Sequence, residues 1–364
     1  MFWLIVLLVA LCLLIFGIIY MTWAVGKFSL VKKWSKDIRY KRNLISFFIV
    51  SIVFAAFVFL LSLVNAVIIL LHLVIFRLIY GLILGVVKKI RKKDFHIYWQ
   101  GWLAIVTCII YLGVGYYLCN NVWMTKYNLN TDKDVGKLRI ALFADSHLGT
   151  TFDAAGLAKY VDEMVEQSPD ILVIAGDMID DGTSREDMIE CCRILGEVDI
   201  KYGVWFIFGN HDRGYYRGKD EYTEEDIVTE MKKNGIHVMS DDVELIDDRF
   251  YLLGREDRSV RSRKSMDELT QNLDKSKYML VLDHQPGDYD AQADSGVDLV
   301  LSGHTHGGQM IPITYVGELF NINDATYGYE KRKDTEFIVT SGISDWEILF
   351  KTGTKSEYVI IDVE

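Results

Sequence analysis

The sequence predicts an α/β domain, a layered β-sandwich flanked by helices, preceded by an all-α transmembrane region of about four helices. Three observations carry this. Long apolar runs are confined to residues 1–119. From residue 137 onward, short β-branched runs alternate with helix-like stretches. The charge balance also reverses: residues 1–123 hold 13 Lys and Arg against only Asp37 and Asp94, whereas the rest holds 26 basic and 48 acidic residues. The net charge of −11 therefore averages two unlike parts. The acidic part offers no broad basic surface to a phosphate backbone, so no nucleic-acid partner is expected. Its field would also repel anionic substrates unless metal ions intervene.

Residues 2–22 carry no charge and are long enough for a hydrocarbon core roughly 30 Å thick. No basic residue precedes the run and no small-residue cleavage site follows it, so it reads as a retained anchor. Residues 44–87 are apolar for about two spans, 44–64 and 66–87, broken at Asn65. A fourth span covers 98–119. Basic clusters from Lys27 to Arg42 and from Lys88 to Lys93 flank the middle pair, which places both in the cytoplasm. The fourth span then exports the domain, giving a multi-pass protein of the cell membrane with an extracytoplasmic catalytic part. His72 and Arg77 are the ionisable exceptions in the third span; they serve helix packing, or Arg77 meets a lipid phosphate. Residues 120–136 read as a short polar linker that keeps the domain near the bilayer.

Within 137–364, strands are expected at 138–143, 171–175, 204–208, 278–282, 297–301, 337–340 and 358–362. Helices are expected at 154–167, 184–196, 223–234 and 266–273. The five cysteines form no disulfide framework, and the adjacent Cys191 and Cys192 read as a buried helix face.

In α/β folds, ligands collect beyond the carboxyl ends of the strands. The chemistry-bearing residues follow that rule here. Asp145-Ser146-His147, Gly176-Asp177, Gly209-Asn210-His211-Asp212, Asp283-His284 and Gly303-His304-Thr305-His306-Gly307-Gly308-Gln309 each succeed a strand run. Five of the eight histidines lie there, which scatter would not produce. Carboxylate, imidazole and amide oxygen together suit Mn, Fe or Zn better than Ca or a thiolate-bound structural Zn. In a two-metal site one carboxylate bridges both ions and a shared hydroxide attacks phosphorus in line.

These motifs resemble the calcineurin-like metallophosphoesterases, over about residues 138–364, and are closest to the bacterial membrane-associated branch whose last motif reads Gly-His-Thr-His-Gly-Gly-Gln. The resemblance implies two divalent metal ions, with Asp145, His147 and His306 on the first, Asp177 bridging, and Asn210, His284 and His304 on the second. It also implies that His211 stabilises the transition state and protonates the leaving oxygen, with Asp212 orienting it. The family's turn is present as His284-Gln285-Pro286, but residues 343–352 lack the arginine and proline pattern often seen there. Gly307 and Gly308 are expected to allow close backbone approach, and Gln309 to bond a ligand histidine or shape the turn.

Two insertions bear on substrate choice: 213–224, with Tyr215, Tyr216 and Tyr222, and the basic island 254–264. In the second, Arg255 or Arg258 is expected to grip a further phosphate or a head group. The expected function is a membrane-anchored phosphoesterase acting on a phosphodiester or phosphomonoester, with a lipid head group or cell-envelope ester favoured by proximity. The alternatives are a pyrophosphatase of nucleotide-linked lipids, which needs the opposite topology, and a non-catalytic membrane sensor that retains the fold.

Overall fold

The computed structural model describes residues 2–213, 222–311 and 313–364, without the side chains of the first seven residues. Tyr215 and Tyr216 lie outside the described residues. Residues 1–115 and 116–364 form two compact units.

In the first unit, helices α1 (Phe2–Val25), α3 (Arg39–Leu60) and α4 (Leu63–Arg91) pack pairwise, and a short α2 (Ser29–Trp34) follows α1. Together with α5 (Trp99–Asn120) they supply four helices long and apolar enough to cross a membrane. The break between α3 and α4 falls at Ser62 instead of Asn65. The Ser62 hydroxyl caps α4 by accepting the Asn65 backbone N–H at 3.2 Å. Arg77 is buried and stays within the bundle: its Nε donates to the Tyr98 hydroxyl at 2.7 Å, and Tyr20, Trp23 and Tyr98 surround the guanidinium. His72 contacts the Ile68 carbonyl at 2.8 Å and the Tyr111 ring.

The second unit is two six-stranded sheets face to face. Its strands are β1 (Val122–Leu129), β2 (Leu138–Phe143), β3 (Ile171–Ala175), β4 (Val204–Ile207), β5 (His237–Met239), β6 (Asp242–Ile246), β7 (Phe250–Gly254), β8 (Tyr278–Leu282), β9 (Leu299–Ser302), β10 (Gly328–Arg332), β11 (Thr335–Val339) and β12 (Ser356–Val363). One sheet runs β1-β12-β2-β3-β4-β5 and the other β10-β11-β9-β8-β7-β6. Period-two alternation divides the side chains of each strand. In β2, Leu138, Ile140 and Leu142 enter the core between the sheets, while Ala141 and Phe143 face the outer core. In β8, Leu280 and Leu282 point inward and Met279 and Val281 outward. Burial on both faces is why these strands read as unbroken apolar runs.

Helices α6 (Ala154–Val165), α7 (Arg185–Gly196) and α8 (Glu224–Lys233) cover the first sheet. The second sheet is covered by α9 (Met266–Thr270) and α10 (Tyr289–Ser295). Asp153, Ser184, Thr223 and Ser265 cap α6 to α9, the last two as full capping boxes with Asp226 and Glu268. Cys191 and Cys192 are buried on α7, as expected. Within the stretch expected as a linker, Val122–Leu129 is a strand that pairs in parallel with β12. Its alternating exposure is that of a sheet edge, which an apolar-run criterion misses.

Candidate metal centre

Strands β2, β3 and β4 are mutually parallel, as are β7, β8, β9 and β11, so their carboxyl ends line one edge of the sandwich. Each strand hands a polar loop to that edge. The loops are tightly set: Asp145, His147, Asp177, His304 and His306 all have positive φ, a region that non-glycine residues occupy at a cost and that clusters at functional sites. Glycines make the crowding possible. A Cβ on Gly176 would lie 2.6 Å from His284 Nδ1, and one on Gly303 would lie 2.6 Å from Asp145 Oδ2.

Among the described residues, three groups bring ligand atoms within 4.8 Å of one another: Asp145, His147 and His306; Asp177, His284 and His304; and His147, Asp180 and His211. His284 Nε2 lies 3.1 Å from Asp177 Oδ2, and His147 Nε2 lies 3.8 Å from the same oxygen, so Asp177 stands between the first two groups. The rings of His147 and His306 are 5.1 Å apart, as are those of His284 and His304. Asn210 Oδ1, both ring nitrogens of His147 and His284 Nε2 are buried without a hydrogen-bond partner among the described residues. Orphaned buried donors and acceptors of this kind are costly unless something else binds them. Nitrogen and oxygen atoms of this mix fit a divalent transition metal, so the residues present fit the expected ions.

The electrostatics of the side chains themselves agree. Burial opposes ionisation of Asp177, yet His284 and His147 hold its carboxyl far below the usual range. Burial and the neighbouring His284 lower His304 to about 4, leaving it a neutral potential ligand at neutral pH. Burial likewise works against the His211 imidazolium, but the hydrogen bond to Asp180 and the charges of Asp177 and Asp180 outweigh it, and its pKa is raised.

The supporting contacts revise three expectations. Asp180 is the carboxylate on the His211 ring, 3.1 Å from Nδ1 and 3.4 Å from His147 Nδ1. Asp212 instead accepts the backbone N–H groups of Asp177 (2.7 Å), Ile179 (2.9 Å) and Gly209 (2.7 Å), fixing two loops to each other. Burial and the Asp177 charge push its carboxyl up to about 7 against the pull of those donors. Arg255 is buried and its terminal nitrogens are engaged: it pairs with Asp283 at 3.0 Å and Asp288 at 3.3 Å, and donates to the Lys264 carbonyl. A guanidinium so enclosed is structural, and Arg263 joins it on Asp283 at 2.6 Å. Arg258 is exposed and donates to the Ile322 carbonyl at 3.0 Å. Gln309 Nε2 donates to the Phe350 carbonyl at 3.0 Å, so it secures a neighbouring loop. Gly307 and Gly308 give close approach to Thr354 and Thr314.

Four further residues join the site: Asp180, Asp345, Trp346 and Lys351. Asp345 Oδ1 lies 3.3 Å from His306 Nδ1 and 3.1 Å from the fully buried Lys351 Nζ. Against the cost of burial, Lys351, His306 and the Cys119 thiol hold the Asp345 carboxyl below its ordinary range. The exposed Trp346 ring lies 5.1 Å from that of His211. For the first three the sequence signal is position: Asp180 follows Asp177 by three residues, and Asp345 and Trp346 follow β11.

A family model described as calcineurin-like phosphoesterase matches residues 138–308. An uncharacterized metallophosphoesterase of Campylobacter jejuni is 28% identical over 293 residues, which cover 78% of this chain and 75% of that protein. One of Aquifex aeolicus is 31% identical over 199 residues, 52% of this chain and 72% of that protein. A Danio rerio protein named transmembrane protein with metallophosphoesterase domain is 30% identical over 232 residues; the match covers 60% of this chain and 52%, about half, of that relative. With five ordered motifs at one sheet edge and these matches, the chain belongs to the calcineurin-like metallophosphoesterase family.

Proposed function

We propose that the chain is a multi-pass membrane hydrolase of phosphate esters, with two divalent ions of Mn, Fe or Zn at the strand-end site. The observation that carries this reading is the set of buried ligand atoms of His147, Asn210 and His284, which form no hydrogen bond among the described residues and crowd the carboxylate of Asp177. Asp145, His147 and His306 would hold one ion, Asn210, His284 and His304 the other, and Asp177 both. Bound there, the ions would neutralise phosphoryl charge and lower the pKa of a coordinated water.

The chain's own groups then do the rest. His211 is partly exposed and faces Asp180 through Nδ1, which makes Nδ1 the donor and leaves the other ring nitrogen to protonate a leaving oxygen. Asp180 holds the ring in that orientation, while Asp212 keeps the backbone of Asp177 and Gly209 in register. The substrate class is a phosphodiester or phosphomonoester, lipid or cell-envelope linked. The full-length protein in detergent, given alkyl phosphodiesters, phosphomonoesters and pyrophosphates with each metal, should turn over an ester faster than any pyrophosphate. Preference for pyrophosphate would move the reading to nucleotide-linked lipids, and no turnover by a folded, metal-loaded chain would favour a sensor. The basic loops support an extracytoplasmic catalytic domain. Protease added to intact cells should therefore cleave it, and full protection would reverse the topology.

A further inference from the structure

Where the apolar helix α5 ends bears directly on the metal centre. Its last turn belongs to the same compact unit as the site. The Cys119 thiol donates to the Ile348 carbonyl at 3.8 Å, and the Cys119 carbonyl accepts from the Ser356 hydroxyl at 2.7 Å. Ile348 is three residues beyond Asp345, whose carboxylate stands 3.3 Å from His306. The end of the span and a candidate ligand are thus separated by one buried carboxylate. Aromatic side chains of the sort that anchor at a membrane interface lie at the helix end and at the site: Tyr117 packs on Trp123 with ring centroids 5.7 Å apart, and the exposed Trp346 ring lies 5.1 Å from that of His211.

The catalytic unit also carries an exposed apolar surface. Gln309 donates to the Phe350 carbonyl, and Thr352 donates its backbone N–H to the Gln309 carbonyl at 2.9 Å, which ties the segment after the last motif to the loop under Cys119. That segment exposes Ile313, Tyr315, Val316, Leu319, Phe320 and Ile322; Leu319 is 76% and Phe320 68% exposed. Glu318 is the one charge between residues 313 and 322. An apolar run this exposed calls for an apolar neighbour. Ile313 and Gly317 also line an open cleft of about 250 Å³ with His304 and Thr305, so the surface borders the candidate metal centre.

The geometry points to a catalytic site that opens onto the bilayer surface, with residues 313–322 dipping into the head-group boundary, so that the substrate is a phosphoester carried on a membrane lipid. This rests on the hydrolase reading above and narrows its substrate class. A segment with an apolar face and little charge binds at the interface through buried area. A lipid held there would present its phosphate at the level of the cleft with no need to leave the membrane.

The test uses full-length protein in nanodiscs of phosphatidylglycerol and phosphatidylethanolamine. Leu319→Cys carries an environment-sensitive fluorophore, and Leu245→Cys on β6 carries it as the control; spin-labelled phosphatidylcholine is the quencher. Quenching at 319 and not at 245 is expected. No quenching at 319, or quenching only of a cross-linked dimer, overturns the inference in favour of a second copy or another protein on this surface. A second measurement compares dioleoyl phosphatidic acid and phosphatidylglycerol with soluble bis-p-nitrophenyl phosphate. In Leu319→Glu/Phe320→Glu, the ratio of lipid to soluble turnover should fall on the order of tenfold or more, from losing two large apolar side chains that would enter the interface. An unchanged ratio overturns the inference while the soluble activity still upholds the hydrolase. Absence of all turnover by the wild type removes the hydrolase reading and the lipid substrate with it, whatever the quenching at 319.

Discussion

Replacing Asp180 with asparagine isolates the proton-delivery part of the account. The carboxylate lies 3.1 Å from His211 Nδ1 and is nearly enclosed, so the contact is a charge-assisted hydrogen bond little screened by water. Such bonds contribute about 1.5–3 kcal/mol. At 1.36 kcal/mol per tenfold in rate, kcat should fall about 10- to 150-fold. Asparagine retains the shape and one acceptor, so KM and the unfolding midpoint in urea should stay near wild type. The leaving group sharpens the test. A p-nitrophenolate departs without protonation, whereas a glyceryl or other alkyl oxygen needs a proton from His211. Full-length Asp180→Asn, assayed on bis-p-nitrophenyl phosphate and on an alkyl phosphodiester, should lose much more on the alkyl ester. Equal losses on both would refute the role given to Asp180 and point to a direct part in holding metal, since His147, Asp180 and His211 also form a ligand-like group.

Asp212→Asn should behave in the opposite way: its amide NH2 would face backbone donors, costing about 1–3 kcal/mol of stability, read as a lower urea midpoint. Arg255→Ala leaves Asp283 buried with less compensation and should destabilise by about 3–5 kcal/mol without a selective rise in KM, which calorimetry and steady-state kinetics would separate. Stripping metal should lower the thermal midpoint as well as turnover, because an ion that binds only the native state at 100 times its Kd stabilises by about 2.7 kcal/mol; a midpoint indifferent to chelation and add-back would count against the ligand set.

The residues gathered at the candidate centre are legible in the sequence because buried parallel strands leave two plain marks: unbroken apolar runs, and polar residues crowded just after them. Residues 138–143, 171–175 and 278–282 were bounded correctly on that basis. Strands β6 and β10 were not foreseen, since Asp242–Ile246 and Gly328–Arg332 are edge strands whose exposure and charges hide them. The role of Arg255 was misread for a related reason: a basic island looks solvated in one dimension, and only the fold brings Asp283 and Asp288 against it. Asp180 and Asp212 could not be told apart from spacing, because both are carboxylates in strand-end loops. What separates them is which neighbour each meets, a ring nitrogen for one and backbone N–H groups for the other. Lys351 carried no signal, since a lysine after a variable loop reads as surface until Asp345 is found buried beside it.

The most direct test of the central claim is metal add-back to the purified full-length chain, wild type beside Asp177→Asn, with bound metal counted per chain and bis-p-nitrophenyl phosphate hydrolysis measured on the same samples. The account predicts two ions per wild-type chain, turnover that returns with Mn, Fe or Zn, and loss of both metal and turnover in the variant because its bridging charge is gone. Equal hydrolysis by metal-free and metal-loaded wild type, or full activity in Asp177→Asn, would contradict it.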